Sequence, residues 1–159
     1  MDMMDRLLEH DRWATTRLLE ASRGLTDAQL DQAFDIGHRS LRATFDHQIA
    51  NVAGWTAMMV GRPPEDDGAT DGIDVFIRRH DATYDAFAAF ARRARDDGRL
   101  DETFTNRFFD SEHTVGGTIL HVALHDEWHR SEVAHILQRL GVDVPEVDQA
   151  LWDCSVRAG

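Results

Sequence analysis

The sequence predicts an all-α chain folded as a bundle of four helices, and three observations carry that expectation. Apolar residues recur at three- and four-residue intervals in four long stretches, near 2–23, 40–60, 71–95 and 114–140. Residues that open helices stand before three of them (Asp2, Ser40, Thr114), and a glycine follows each, at Gly24, Gly61, Gly98 and Gly141. Polar, Asp- and Gly-containing segments separate the stretches. A chain of 159 residues and 18.0 kDa fits one domain spanning 1–159 and can bury a sizeable core without staples.

In the first stretch Met4, Leu7, Leu8, Ala14, Leu18 and Leu19 form one stripe, while His10, beside Asp11 and Arg12, reads as solvated. Thr26-Asp27-Ala28-Gln29 has the spelling of a capping box opening a short helical turn. The segment from there to Arg39 is rich in Asp, Gly and His and is expected to cross between helices outside the core. The second long helix runs from the Ser40 cap to about Val60 and is stopped by Gly61 and the Pro63-Pro64 pair. Leu41, Phe45, Val52, Trp55 and Met59 supply its apolar surface, Arg42 and Asp46 a charged side, and His47 flanks the core. The acidic linker 61–72 also suits a crossover. The third helix, from Asp71 or Gly72 to about Arg95, carries His80 in the stripe of Phe76, Ile77, Tyr84 and Phe87. Between Asp96 and Ser111, Thr103-Phe104-Thr105-Asn106-Arg107-Phe108-Phe109-Asp110 alternates apolar and polar residues and reads as extended, a short hairpin or loop. The last helix runs from the Thr114 cap to Gly141, and the tail 146–159 is expected to hold one short turn with Leu151 and Trp152 packed back on the bundle.

Composition excludes several classes of function. No apolar run reaches the roughly 18 residues that span a bilayer. Met1 to Trp13 is charged throughout, with neither a basic nor an apolar leader region, so the expected compartment is the cytoplasm. The formal net charge of −12 repels phosphate backbones and disfavours nucleic acid. Cys154, the single cysteine, rules out a disulfide framework and a cysteine-rich zinc site, so any metal must be held by nitrogen and oxygen.

The chemistry lies in the last helix, where His121, His125 and His129 follow one another at four-residue intervals. At about 100° per residue they share a face with Val122, Val133, Ile136 and Leu140, whereas Leu120, Glu127 and Ala134 point the other way. Three imidazoles buried among aliphatic side chains would leave donors and acceptors unpaired, at about 1–3 kcal/mol each, which a metal or a wet polar pocket resolves. Neighbouring rings of such a series rise about 6 Å apart and can bend toward one ion with bonds of about 2.0–2.1 Å. His121 and His129, about 12 Å apart, cannot comfortably share one, so a third ligand should come from elsewhere. His47, level with the middle of the histidine helix in an antiparallel bundle, is the first choice. His80 is a weaker fourth candidate, better read as a core histidine bonded to a backbone carbonyl or to Tyr84. A site of three neutral imidazoles suits Zn²⁺, Ni²⁺ or another borderline divalent ion with a position left open. Glu132 could orient a ring or act as a base, and Arg130 could pair with it or hold an anionic substrate, while a surface ion pair is the plain alternative for both.

Three other sites fail on the residues. A di-iron carboxylate bundle needs two Glu-x-x-His motifs; Glu132 to His135 spells one, but His135 lies off the stripe and no second motif occurs. The first His of His125-Asp126-Glu127-Trp128-His129 is followed by Asp, not the Glu of a zincin. No Gly-x-Ser-x-Gly turn is present for a serine nucleophile.

Over nearly its whole length the chain resembles the DinB/YfiT-like family of the DinB-like superfamily. The likeness rests on the first amphipathic helix, the mid-helix histidine in Thr44-Phe45-Asp46-His47-Gln48, and His121-Val122-Ala123-Leu124-His125-Asp126-Glu127-Trp128-His129-Arg130, whose His-x-x-x-His-Arg ending is the most specific part. The resemblance implies a four-helix bundle with a long crossover connection, commonly a homodimer, with His47, His125 and His129 as metal ligands and His121 behind them. It also implies a metal-dependent enzyme that activates a thiol or water, thiol S-transferase-like or hydrolase-like, acting on a small-molecule substrate with a low-molecular-weight thiol among the options. The alternative is a non-catalytic, metal-stabilised bundle serving as a structural or interaction protein. Ser131 and Glu132 replace the glycine and glutamine that many relatives carry after the final His-Arg.

Overall fold

The computed structural model describes residues 1–63, 72–106 and 109–158. The elements are α1 (Met3–Ala21), α2 (Asp27–Leu30), α3 (Leu41–Met59), α4 (Ile73–Asp96), β1 (Thr103–Asn106), β2 (Ser111–Thr114), α5 (Val115–Arg139) and α6 (Gln149–Ala158). Of the linker 61–72, residues 64–71 lie outside the described residues, as do 107 and 108 of the extended stretch. Among the described residues no helix is long and apolar enough to cross a membrane.

The expected caps are made. Asp2 accepts from the Asp5 amide, Ser40 from Ala43 and Thr114 from Gly117, each satisfying a first-turn N–H that the helix leaves without a partner. Thr26 and Gln29 close a reciprocal capping box. Gly141 leaves α5 at φ +75°, a left-handed turn that glycine adopts without a Cβ penalty.

Four long helices form the bundle, in the cyclic order α1, α4, α3, α5. Helices α1 and α3 therefore face each other across a diagonal, and the crossover is the segment that joins them, 22–40. The 61–72 linker joins neighbours, which corrects its reading as a crossover. The crossover is also less superficial than expected, because Phe34 is buried and stacks beneath the Arg139 guanidinium. Hairpin β1–β2 pairs Thr103 with Thr114 and Asn106 with Ser111, and lies beside the start of α5. The tail is longer than one turn: α6 docks on α1 with Trp152 buried, but Leu151 is exposed. Trp152 covers His10, whose Nε2 bonds the Val147 carbonyl at 2.8 Å, so His10 is buried rather than solvated.

The core is split in two. One apolar cluster holds Val52, Trp55, Phe87, Ile119 and Val122; the other holds Leu18, Phe45, Phe76, Val133 and Ile136. Between them lies a layer of buried polar side chains from all four long helices: Asp11, Gln48, His80, Asp126 and Arg130. Arg130 bonds the Asp11 carboxylate, the Thr15 hydroxyl at 3.2 Å and Glu127 at 2.7 Å, and Tyr84 donates to Asp11 at 2.7 Å. Burial, reinforced by nearby Asp11, pushes the Asp126 carboxyl well above its usual range. On the α3–α5 seam the same layer opens into a cluster of histidines.

Candidate metal centre

Helices α3 and α5 pack side by side with His47 at mid-length of one and His125 and His129 on the facing side of the other. The His125 Nε2 lies 3.4 Å from the Nε2 of His47 and 3.3 Å from that of His129. Four nitrogens placed tetrahedrally about one ion at roughly 2.0–2.1 Å are separated from each other by about 3.3–3.4 Å. His125 thus stands at the spacing of a shared ligand set from both His47 and His129, with the same nitrogen of each ring turned inward.

What lies behind two of the rings holds them in place. Glu132 Oε2 is 2.7 Å from His129 Nδ1 and so accepts its proton, leaving the Nε2 lone pair free. The other Glu132 oxygen accepts from the Trp128 indole at 3.0 Å. Both oxygens are therefore engaged, and Glu132 holds His129 in place instead of standing free as a base. The Asn51 side-chain amide nitrogen lies 3.1 Å from His125 Nδ1 and donates to it, which orients that ring. Burial, with neighbouring histidines adding to it, lowers His47 and His125 to a pKa of about 4. At neutral pH both are uncharged, the form that donates a lone pair to a cation.

His38 is the site residue that helical periodicity could not supply. It lies in the crossover, stacked on His47 with ring centroids 3.8 Å apart, and 5.2 Å from the His129 ring. One nitrogen each from His38, His47 and His129 falls within 4.8 Å of the others. The loop that carries it is tightly turned: Gly37 has φ +50° and Arg39, unusually for a residue with a side chain, φ +71°. Phe34 N–H to Arg39 carbonyl at 2.6 Å closes the turn. Only the Gly37 that precedes His38 hinted at such a bend in the sequence.

Gly37 also makes room for the Glu132–His129 pair. A Cβ there would lie 2.6 Å from Glu132 Cδ, on a backbone that disfavours side chains. Gly37→Ala is expected to cost about 1–2 kcal/mol in the left-handed turn and to push the Glu132 carboxylate off His129. Affinity for a divalent ion, read by competition with a chromophoric chelator, should then fall about tenfold. Unchanged affinity would show that Glu132 relaxes without disturbing the ring.

The remaining candidates stand apart. His121 is exposed, its ring 5.6 Å from that of His125, and does not face inward as its helical register suggested. His80 is buried on α4 and bonds the Arg12 carbonyl at 3.4 Å, away from the cluster. Arg130 turns into the polar layer toward Asp11 and neither pairs with Glu132 nor faces the histidines. A cleft of about 480 Å³ opens over His47 and His125 and continues past Asn51, Trp55 and His121.

Comparison with known proteins agrees with this architecture. No curated protein matches the sequence. Among solved structures the chain is similar to YfiT from Bacillus subtilis, described as a probable metal-dependent hydrolase with an unusual four-helix bundle topology, with a TM-score of 0.69 and 15% sequence identity over 90% of this chain and 91% of that one. At that identity the likeness shows the fold, a four-helix bundle with a long crossover. The family profile of the DinB superfamily matches residues 10–133, most of the chain. The chain belongs to the DinB superfamily.

Proposed function

We propose that this protein is a metal-dependent enzyme of the hydrolase type, in which His47, His125 and His129 hold a divalent ion, Zn²⁺ or Ni²⁺, and a small-molecule substrate enters by the adjoining cleft. The observation that carries the reading is the inter-imidazole spacing of 3.3 and 3.4 Å about His125, reached from two separate helices. Three imidazole nitrogens match the preference of a borderline divalent ion and leave coordination positions open. Bound there, such an ion supplies Lewis acidity toward a substrate oxygen and makes water a better nucleophile at neutral pH.

The chain's own residues provide the rest. Glu132 accepts from His129 Nδ1 and so frees that ring's Nε2 lone pair, and Asn51 holds the His125 ring in place, so both rings are positioned without a search through rotamers. His38 faces the same point from the crossover, its pKa lowered by partial desolvation and by His129, and in this reading its ring takes the proton that the attacking water gives up. The cleft favours an enzyme over a purely structural site, since it leaves the face of His47 and His125 accessible to a small molecule. Water is favoured over a thiol as the nucleophile by the likeness in fold to a protein described as a probable metal-dependent hydrolase.

Equilibrium dialysis against Zn²⁺ and Ni²⁺ tests the proposal. The protein should retain one ion per chain; His125→Ala should lose it, and Glu132→Gln should weaken binding by about 10–100-fold with helical content unchanged. Removal of the ion by a chelator should leave the bundle folded while abolishing hydrolysis of an activated ester such as 4-nitrophenyl benzoate. Failure of the protein to retain either ion, or equal retention by His125→Ala, would overturn the metal centre. A bundle that melts on chelation and never hydrolyses the ester would assign the ion a structural role.

A further inference from the structure

The cleft beside the histidines has a wall whose composition says what it holds. Trp55, on α3, is almost completely buried among the upper core residues, yet its indole forms part of the cleft lining. Two imidazoles meet the indole edge to face, His113 from β2 at 5.4 Å and His121 from α5 at 5.2 Å between centroids. His113 is itself anchored by the Ser111 hydroxyl at 2.8 Å. The indole plane is thus fixed from two sides.

Opposite it stands Phe109, at the turn of the hairpin. Its ring is nearly parallel to the indole, 26° between planes, with centroids 6.5 Å apart. The turn is held by the Asn106 side chain, which accepts from the Phe109 amide at 3.3 Å, and by Asp110 at φ +47°. Phe109 is nevertheless 72% exposed. A separation of 6.5 Å is at the long end for two rings in direct contact. A third ring seated between two others makes a contact of about 3.5 Å on each face, and Phe109, exposed at the hairpin turn, can move outward to admit one. Among the described residues the lining of this cleft includes no carboxylate and no Lys or Arg. His47 and His125 lie at its far end.

We infer that the cleft binds a planar, uncharged aromatic group, clamped between Trp55 and Phe109, and that the substrates of this site are aryl-bearing molecules which present the bond to be cleaved toward His47 and His125. This rests on the proposed metal-dependent hydrolysis only for the second part; the ring clamp stands on the geometry of the two aromatic side chains. Ring and reactive group are then held by separate features of the site, with stacking supplying position and the histidine cluster the chemistry. Stacking also distinguishes a flat ring from a puckered one of the same size.

Two uncharged amides that differ only in that respect, benzamide and cyclohexanecarboxamide, provide the test. Each is titrated into the ion-loaded protein while the indole N–H signal of Trp55 is followed by NMR, assigned with Trp55→Phe. Benzamide should move that signal by its ring current and bind about three- to tenfold more tightly than cyclohexanecarboxamide, the range set by one aromatic contact. Phe109→Leu, a surface change that keeps apolar bulk, should abolish the preference while the ion content stays at that of the unsubstituted chain. Equal affinities for the two amides, or a preference that survives in Phe109→Leu, would overturn the clamp. Ion content measured on the same samples separates the two readings: the preference without a bound ion sinks only the metal centre, and a bound ion without the preference sinks only the clamp.

Discussion

Arg130→Ala is expected to destabilise the fold by about 3–5 kcal/mol, the range observed when one partner of a buried ion pair is removed. The guanidinium is 3% exposed and satisfies the Asp11 carboxylate, the Thr15 hydroxyl and Glu127 together. Without it Asp11 keeps a hydrogen bond from Tyr84 but no counter-charge, at a position 1% exposed. Its carboxyl must then take up a proton or drag in water, and either outcome weakens the joint between α1 and α5. Urea unfolding at pH 7 should show the midpoint falling by about 2 M for a slope near 2 kcal/mol per molar. The pair itself is a different matter. Replacing both members by apolar residues, as in Arg130→Met with Asp11→Leu, removes two desolvated charges at once and should recover much of the loss. A single-variant loss below about 1 kcal/mol, or a double variant no better than Arg130→Ala, would mean the layer is hydrated and the charges are not truly buried. The result also bears on the site, because Arg130 follows His129 in the chain: His129→Ala should remove the ion with a much smaller effect on stability.

That contrast shows which parts of the molecule the sequence made legible. The caps at Asp2, Thr26, Ser40 and Thr114 are local hydrogen-bond choices, and each helix begins where its cap residue stands. Strand β1 was legible because alternation has a period of two over a few residues, while β2 lies beyond the alternating stretch, so hairpin and loop could not be told apart. His125 and His129 were visible because one helix brings them together, and His47 because a mid-helix position in an antiparallel neighbour has only one level to occupy. Arg130 was misplaced for the complementary reason. Its partner Asp11 lies 119 residues away on α1, and no periodicity within α5 separates an arginine that reaches a distant carboxylate from one that faces the histidines. His10 failed in the same way, since Trp152 and the Val147 carbonyl arrive from the far end of the chain. His38 sits in a loop whose conformation depends on left-handed backbone at Gly37 and Arg39, and a loop has no repeating face from which to read a direction. The order of helices around the bundle, which makes 22–40 the crossover, is likewise a property of the packing and of no single segment.

His80 supplies the second large effect, a dependence of stability on pH that can be isolated from every other group. Its imidazole is 3% exposed and burial lowers its pKa to about 4, against 6.5 for the free side chain. The sign follows from where the proton goes. Below 6.5 the unfolded chain binds a proton at this residue, and the folded chain does so only below about 4, so in that window unfolding takes up a proton and stability falls as the pH falls. Integrated across the window, His80 withdraws about 3 kcal/mol between pH 7.5 and 4. His47 and His125, also lowered to about 4 but only half-buried, act in the same direction with solvent moderating them. Asp126 acts in the opposite sense, because a carboxyl whose pKa is raised in the fold above that of the unfolded chain favours folding as acid is added. The total slope for the chain is therefore a balance, and the useful quantity is a difference. His80→Gln retains a donor for the Arg12 carbonyl but cannot be charged. Measured by urea unfolding of metal-free protein, it should be less stable than the unsubstituted chain at pH 7.5, through imperfect packing, and should gain about 3 kcal/mol relative to it by pH 4. The contributions of Asp126 and of the histidine cluster are common to both chains and cancel. A gap between the two that stays constant across this range would show that His80 is protonated in the fold with no greater difficulty than in water, and that the polar layer at mid-bundle is open to solvent.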